Sequence, residues 1–399
     1  MHPATEPRAT NRSAILSVLL SGQTLERSQI VEATGLSRAT VFRVVDDLRS
    51  RGLVRDAATL PSSSPGRPST PVVFDGSVQT VCGVDLGGTN CRFAVSDTLG
   101  RTLVRSKHPT PRQLDGPAMG TWMAERVHEL VALTAEDHGA LGAVAIGVPG
   151  AVSGDKTAVV GSHNLPQILG TTFIDTFRDG VGVPTTLDND SNLALVGELQ
   201  YGGLAENETA ALLTLGTGLG SAVALRGRVL YGRTGVLGEF GRLQVPGTET
   251  RLRDLVSGAG LVAFAQERGH DITSAREVLD EPERFPDLVP LIRSALVHLV
   301  SLVGLSYEPR TVIVTGGFAD GLEDETLDAV QAQVLDLVGV STVLRRTELG
   351  DFAGLLGALA VALGDLYASL GVLEEHISRI DVDRARAVKA LEDVPVHAP

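Results

Sequence analysis

Between residues 11 and 20 the apolar side chains fall at Ile15, Leu16, Leu19 and Leu20, the spacing of one buried face of a helix. Gly22 ends that run. A second short helix is predicted over residues 26–34, with Ile30, Val31 and Ala33 turned inward. A third is predicted over residues 38–50, burying Val41, Val44, Val45 and Leu48. The turn between them is Gly35-Leu36-Ser37, where Ser37 is a good N-cap. Two helices joined by so short a glycine turn carry the helix-turn-helix pattern. At Gly52-Leu-Val-Arg the period changes to that of a strand, and Pro71-Val-Val-Phe74 can return beside it. Residues 57–71, rich in Pro and Ser, read both as the tip of a wing between those strands and as a linker.

The rest of the chain alternates strands and helices. Residues 81–95 read as a strand, the turn Gly87-Gly88-Thr89 and a second strand, with another turn at Leu99-Gly100. A helix follows over 121–136, with Val127, Leu130, Val131 and Leu133 inward. Next come a buried strand over 143–150 ending in Pro-Gly, a short helix over 173–178, a strand over 183–187 and a helix over 193–201. Strand 209–214 leads into Leu215-Gly-Thr-Gly-Leu-Gly-Ser221 and a further strand, repeating the plan of residues 81–95. The repeat predicts two related lobes. Val312-Ile-Val-Thr-Gly-Gly-Phe318 ends one more strand on a glycine pair, and residues 353–370 form a small-residue helix. This alternation predicts an α/β fold. The charged tail, 381–399, is expected to fray.

Several residues in this frame can do chemistry. Glycine turns let backbone N–H groups converge on a phosphate, because no Cβ blocks the approach. Asp85, at a strand end, can hold Mg²⁺ through water, and Thr89 adds a hydroxyl. Asp190 follows another strand end; it can face a crevice outside the sheet or cap the next helix. On the third helix Ser37, Arg38, Thr40 and Arg43 suit phosphates and base edges in a major groove, and Arg67 could lie in a minor groove.

Charge sharpens the division. The chain has 399 residues and a net charge of −14. Residues 1–55 hold eight Arg against five Asp or Glu, +3, which leaves −17 for the remainder. The body therefore does not bind nucleic acid by charge, whereas the head can. The two cysteines, Cys82 and Cys91, are too few for a Cys-rich zinc site and fit a reduced compartment. No apolar run reaches about 18 residues without a charge or turn residue, and residues 1–10 lack an apolar signal-peptide stretch. A cytoplasmic protein without a membrane partner is expected.

In order, the chain carries Asp85-Leu-Gly-Gly-Thr, Gly147-Val-Pro-Gly, Asn164-Leu-Pro, Asn189-Asp-Ser-Asn, Gly216-Thr-Gly-Leu-Gly, Gly238-Glu-Phe-Gly and Thr315-Gly-Gly. In these motifs it resembles the ROK family of repressors, open reading frames and sugar kinases, over nearly its whole length. The resemblance implies an N-terminal winged helix-turn-helix, residues 1–76 with wing or linker at 57–76, on a two-lobed actin-like ATPase fold of the hexokinase type over 77–399. Lobe one would take about 77–190 plus the C-terminal helix, and lobe two about 191–365. It implies that Asp190 matches a catalytic base, that Asn164, Asn189 and Glu239 match sugar contacts, and that Asp85, Gly87, Gly88, Thr89, Gly216, Thr217 and Gly218 match phosphate loops. Gly316 and Gly317 would match the nucleotide pocket. The chain also departs from the family. The usual His after Gly-Glu-x-Gly is Arg242, a usual Glu is Arg253, Ser221 replaces a common glycine, and the Cys-rich zinc segment is missing, so no zinc is expected. The arginine pair suggests an anionic sugar; the alternative is that both arginines are solvated or brace the lobe. The expected function is a sugar-responsive transcriptional regulator, more readily a repressor, acting as a homodimer or larger assembly on a pseudo-palindromic operator. It would require no cofactor. The alternative is an ATP- and Mg-dependent sugar kinase using Asp190.

Overall fold

The computed structural model describes residues 7–57, 70–377, 380, 384–394 and 396–397. The chain opens with three helices, α1 (Pro7–Leu19), α2 (Arg27–Thr34) and α3 (Arg38–Ser50), and an antiparallel pair, β1 (Val54–Asp56) and β2 (Val72–Phe74). Gly35 ends α2 in the left-handed region at φ 67°, and the Ser37 hydroxyl then accepts the Thr40 N–H at 3.2 Å to start α3. Ile15, Leu16, Ile30, Val41, Val45 and Leu48 are buried as their spacing predicts. Ala33 is not: it is exposed, and Leu36 in the turn packs on the core instead. Helix α1 also starts before residue 11, since Pro7 is tolerated in a first turn. Arg67 and most of the expected wing tip lie outside the described residues.

Lobe one follows, with β3 (Thr80–Leu86), β4 (Asn90–Asp97), β5 (Thr102–Pro109), α4 (Gly116–Ala132), β6 (Leu141–Val148), β7 (Ala151–Val152), β8 (Val159–Gly161), α5 (Thr172–Val181) and β9 (Thr185–Asn189). Helix α4 starts before residue 121 because Asp115 caps it, accepting the Ala118 N–H at 2.9 Å. It ends early, which leaves Leu133 54% exposed instead of inward. Helix α6 (Asp190–Tyr201) leads to lobe two: β10 (Ala210–Leu215), β11 (Leu219–Leu225), β12 (Arg228–Val229), α7 (Leu252–Leu255), α8 (Gly258–Glu267), α9 (Ala275–Asp280), α10 (Val289–Tyr307), β13 (Thr311–Thr315), α11 (Asp324–Val338) and β14 (Val343–Arg346). The chain then returns through α12 (Ala353–Ser369), α13 (Glu374–Ile377), α14 (Arg384–Asp393) and β15 (Val396–His397).

The predicted repeat is present in the sheets. Their orders are β15-β5-β4-β3-β6-β9 and β12-β11-β10-β13-β14. In each sheet an antiparallel hairpin with the glycine turn, β3–β4 or β10–β11, is continued by parallel strands, β6–β9 or β13–β14. Helices α10 and α12 reach the length and hydropathy of a membrane span, yet half or more of each apolar stretch is buried in the core.

Two helices join the lobes. α6 and α12 cross with backbones touching: a Cβ on Gly357 would lie 1.7 Å from the Leu193 carbonyl oxygen, and one on Gly197 2.3 Å from that of Ala353. Only glycine permits so close a crossing. The head is also fixed to the body, because its apolar residues share one buried cluster with α6, α12 and parts of both sheets. The Ser13 hydroxyl of α1 lies 2.6 Å from His376 Nδ1 on α13 and accepts the Leu373 N–H at 2.7 Å. Which of the two groups donates across the Ser13–His376 bond follows the imidazole tautomer.

Candidate effector and nucleotide cleft

The two glycine turns meet around one side chain. A Cβ on Gly88 would lie 3.6 Å from Asn164 Cβ, and one on Gly218 3.2 Å from Asn164 Nδ2. Arg112 braces this junction, donating to the Gly88 carbonyl at 3.3 Å and the Asn164 carbonyl at 3.0 Å. Gly316, at φ 98°, sits so close to Leu215 that a Cβ would lie 2.7 Å from its carbonyl oxygen, which brings Gly316-Gly317 beside Gly216. The start of α8 supports the same turn: the Gly258 N–H donates to the Gly216 carbonyl at 2.7 Å, and the Ala259 N–H to that of Thr217 at 3.3 Å.

Asp85 is the penultimate residue of β3, opposite Arg92 in the β3–β4 register. Arg92 reaches Asp85 Oδ2 at 3.4 Å and Asp351 at 2.7 Å. Burial raises the Asp85 carboxyl above its ordinary value, and the Arg92 guanidinium pulls it back. A nucleotide with its cation fits these residues. Cβ atoms built on Gly216 and Gly317 would meet nothing within 4 Å. Asp85 Oδ1 has no hydrogen bond among the described residues, which leaves it for a hydrated cation.

Asp190 is the first residue of α6, but it is not the cap. Asn189 caps the helix, its Oδ1 accepting the Ser191 and Asn192 N–H groups at 2.9 and 3.2 Å. The Asn189 amide also donates to the Gly150 carbonyl at 2.8 Å, tying the helix start to the Pro-Gly turn. With capping done by its neighbour, the Asp190 carboxylate accepts, among the described residues, only from Ser191 and remains partly exposed. Burial in the cleft, then the charges of Asp85 and Glu239, push its pKa up to about 7. A carboxyl so tuned can give up or take a proton near neutral pH.

Asn189 and Glu239 line one interlobe cavity of about 40 Å³. Ser221, which stands where a glycine was expected, donates to the Gly238 carbonyl at 2.6 Å and so holds the turn that presents Glu239. Arg242 pairs with Glu239 at 3.2 Å, and Arg253 lies 3.7 Å from Asp254. Neither arginine lines the cavity. Lys156 and Asp188 do; they pair at 2.7 Å with Asp188 only 2% exposed. Lys156, Asp188 and Arg112 had no signal in the sequence, because each acts through a contact with a distant segment. Among the described residues no three His, Cys, Asp or Glu side chains converge as metal ligands.

On the head, Ser37, Arg38 and Arg43 are exposed and Thr40 is half-buried. The arginines at the far end of α3 are neutralised, Arg49 by Asp46 and Asp56 and Arg51 by Asp47. Arg38 and Arg43 form no ion pair among the described residues.

The ROK family model matches residues 81–365. The glucokinase of Streptomyces coelicolor is 29% identical over 320 residues, 70% of this chain and 96% of that enzyme. A ROK hexokinase from Thermus thermophilus is 28% identical, with a TM-score of 0.60 over 73% of this chain and 99% of its own. A ROK family transcriptional regulator, a homologue of the E. coli MLC protein, superposes with a TM-score of 0.71 over 93% of this chain and 99% of its own, at 17% identity. With well over half of its length matched and the motifs in place, the chain belongs to the ROK family.

Proposed function

We propose that this chain is a carbohydrate-responsive, DNA-binding transcriptional regulator, with repression released by the ligand as the default direction. The observation that carries this reading is the head: three helices and a hairpin whose third helix presents Arg38 and Arg43 without ion-pair partners among the described residues. Residues 1–76 then act as a winged helix-turn-helix, with Ser37, Arg38, Thr40 and Arg43 in a major groove and Arg67 in the adjacent minor groove. The regulator fold covers 93% of the chain, whereas the hexokinase fold covers 73%. Residues 77–399 are the sensing body, and a homodimer presents two heads to a pseudo-palindromic operator.

A route from cleft to head supports the reading. Gly354, in the first turn of α12, lies against the Asp85 carboxylate: a Cβ there would be 3.3 Å from it. The first two turns of α12 cross α6, whose first residue is Asp190, and α13 beyond it holds α1 through Ser13 and His376. A ligand that prefers one closure of the lobes thus tilts α12 and moves the heads.

The second reading, a sugar kinase, rests on Asp190 and the open glycine turns. Asp85 would hold the cation of a bound nucleotide, Gly87–Thr89 and Gly216–Gly218 its phosphates, and Gly316-Gly317 its base, and the nucleotide would supply the transferable phosphoryl group. Asp190 would take the proton from the sugar hydroxyl, bound beside Asn164, Asn189 and Glu239.

A complementation experiment separates the two readings. Deleting the gene in its host should change transcripts at a few loci. The chain carrying Asp190→Asn should restore them, and Arg38→Ala with Arg43→Ala should not. Rescue by the arginine variant but not by Asp190→Asn would replace the regulator reading with the kinase one.

A further inference from the structure

The outer face of α3 is not polar throughout. Arg38, Ala39, Phe42, Arg43 and Asp46 are exposed along it, while Val41, Val44, Val45 and Leu48 face the core. Phe42 is 44% exposed, the only exposed large apolar side chain among the described residues of the head. It stands between the two arginines that form no ion pair among the described residues. Arg43 is its neighbour in the chain, and Arg38 lies one turn earlier on the same face.

The ring is held where it is. Arg27, the first residue of α2, places its guanidinium carbon 5.1 Å from the Phe42 ring centroid. That guanidinium is itself tied down: it donates to Asp46 at 3.1 Å and to the Thr70 carbonyl at 3.4 Å. The Arg27 side chain is largely buried by these contacts. Helix α2, helix α3 and the chain entering β2 therefore together set the position of one outward-facing ring. Arg27 is spent on that bracing, whereas Arg38 and Arg43 are left to meet an anionic partner.

A fixed apolar ring between two unpaired guanidinium groups suits a surface that is anionic at its edges and apolar at one point. In the major groove the base edges present nitrogen and oxygen donors and acceptors, and the apolar group among them is the thymine C5 methyl. Resting on the DNA-binding role proposed above, we infer that Phe42 is a specificity-determining residue that packs on a thymine methyl group in each operator half-site. Arg38 and Arg43 flank that contact on phosphates or guanine edges. Ala39, three residues before the ring, is too short to hold it away from the bases. Phe42 can form no side-chain hydrogen bond, so it adds a base preference without adding a phosphate contact.

The test uses the full-length protein and the site that it selects from a library of random duplex DNA. Each thymine of that site is replaced singly by deoxyuridine, which lacks the 5-methyl group and keeps the pairing. Affinity is read by fluorescence anisotropy at fixed salt. The expected result is a thymine in each half-site whose methyl is worth about four-fold in affinity, the value of one buried methyl group. At that position Phe42→Ala should bind the thymine and deoxyuridine duplexes equally. It should also keep the salt dependence of the parent, because no phosphate contact is lost. The ring is exposed, so the variant should fold as the parent does. If no deoxyuridine replacement weakens binding by the parent, the inference falls while the DNA-binding role stands. A methyl effect that Phe42→Ala leaves undiminished assigns the reading to another side chain and overturns it as well. If no site is selected from the library, the DNA-binding role and the inference fail together.

Discussion

Asp190 shows how one side chain is tuned by its neighbours. Burial and the charges of Asp85 and Glu239 raise its pKa from 3.8 in the unfolded chain to about 7. Between those values the folded state binds the proton more tightly, so the group's contribution to stability is present at pH below about 4 and is lost as pH rises through about 7. Asp190→Asn should therefore leave stability nearly unchanged at pH 4 and add about 1–3 kcal/mol at pH 8, read from urea denaturation at the two values. A pH-independent difference would refute the assignment. Ligand affinity should move the other way. If Asp190 accepts a sugar hydroxyl as carboxylate, affinity rises from pH 6 to pH 8 in the parent and is flat in Asp190→Asn, which calorimetry can follow. On the head, Arg38→Ala and Arg43→Ala should each lower operator affinity by about ten-fold and reduce the steepness of its salt dependence by about one phosphate contact. The single residues the sequence disclosed are those whose role is local: Ser37 before its helix, Asn189 and Asp190 at a strand end, the glycines of the turns. Lys156 could not be read, because its partner Asp188 is 32 residues away, and Arg112 serves carbonyls 24 and 52 residues distant.

Among the elements, α12 connects most. Its crossing with α6 depends on Gly197 and Gly357, whose missing side chains let the backbones touch. Gly357→Ala drives a methyl into the Leu193 carbonyl and should cost about 1–3 kcal/mol, seen as a lower Tm. The far end of α12 leads to the Ser13–His376 joint. Ser13→Ala leaves His376 and the Leu373 N–H without that partner inside the molecule. If this joint transmits closure, the variant should bind operator and carbohydrate separately as the parent does, while the ligand-induced change in DNA affinity shrinks by about ten-fold, within the usual range of coupling energies. Unchanged coupling in Ser13→Ala would show that the signal takes another path. The elements themselves were largely legible, since apolar spacing and capping are short-range. The errors were at ends: α4 starts at its Asp115 cap and stops before Leu133, and Ala33 faces out because Leu36 fills the core from the turn. The joint between α1 and α13 spans 363 positions, beyond the reach of any local pattern.

At the scale of the whole molecule, a basic head of +3 sits on a body of −17, and the body is a sheet plan used twice, with the two glycine turns meeting at Asn164. That doubling was visible in the sequence as two strand–turn–strand runs, whereas the cavity between the lobes exists only where segments far apart in the chain come together. The charge split favours docking through the head while the acidic body is held off the duplex. Selection of sheared genomic DNA by the full-length protein at moderate salt, followed by sequencing of the retained fragments, tests the regulator reading most directly. The account predicts a few fragments sharing an inverted repeat, lost when Arg38 and Arg43 are both replaced by alanine. Retention of no fragment above bulk DNA, or of the same fragments by the double variant, would contradict it.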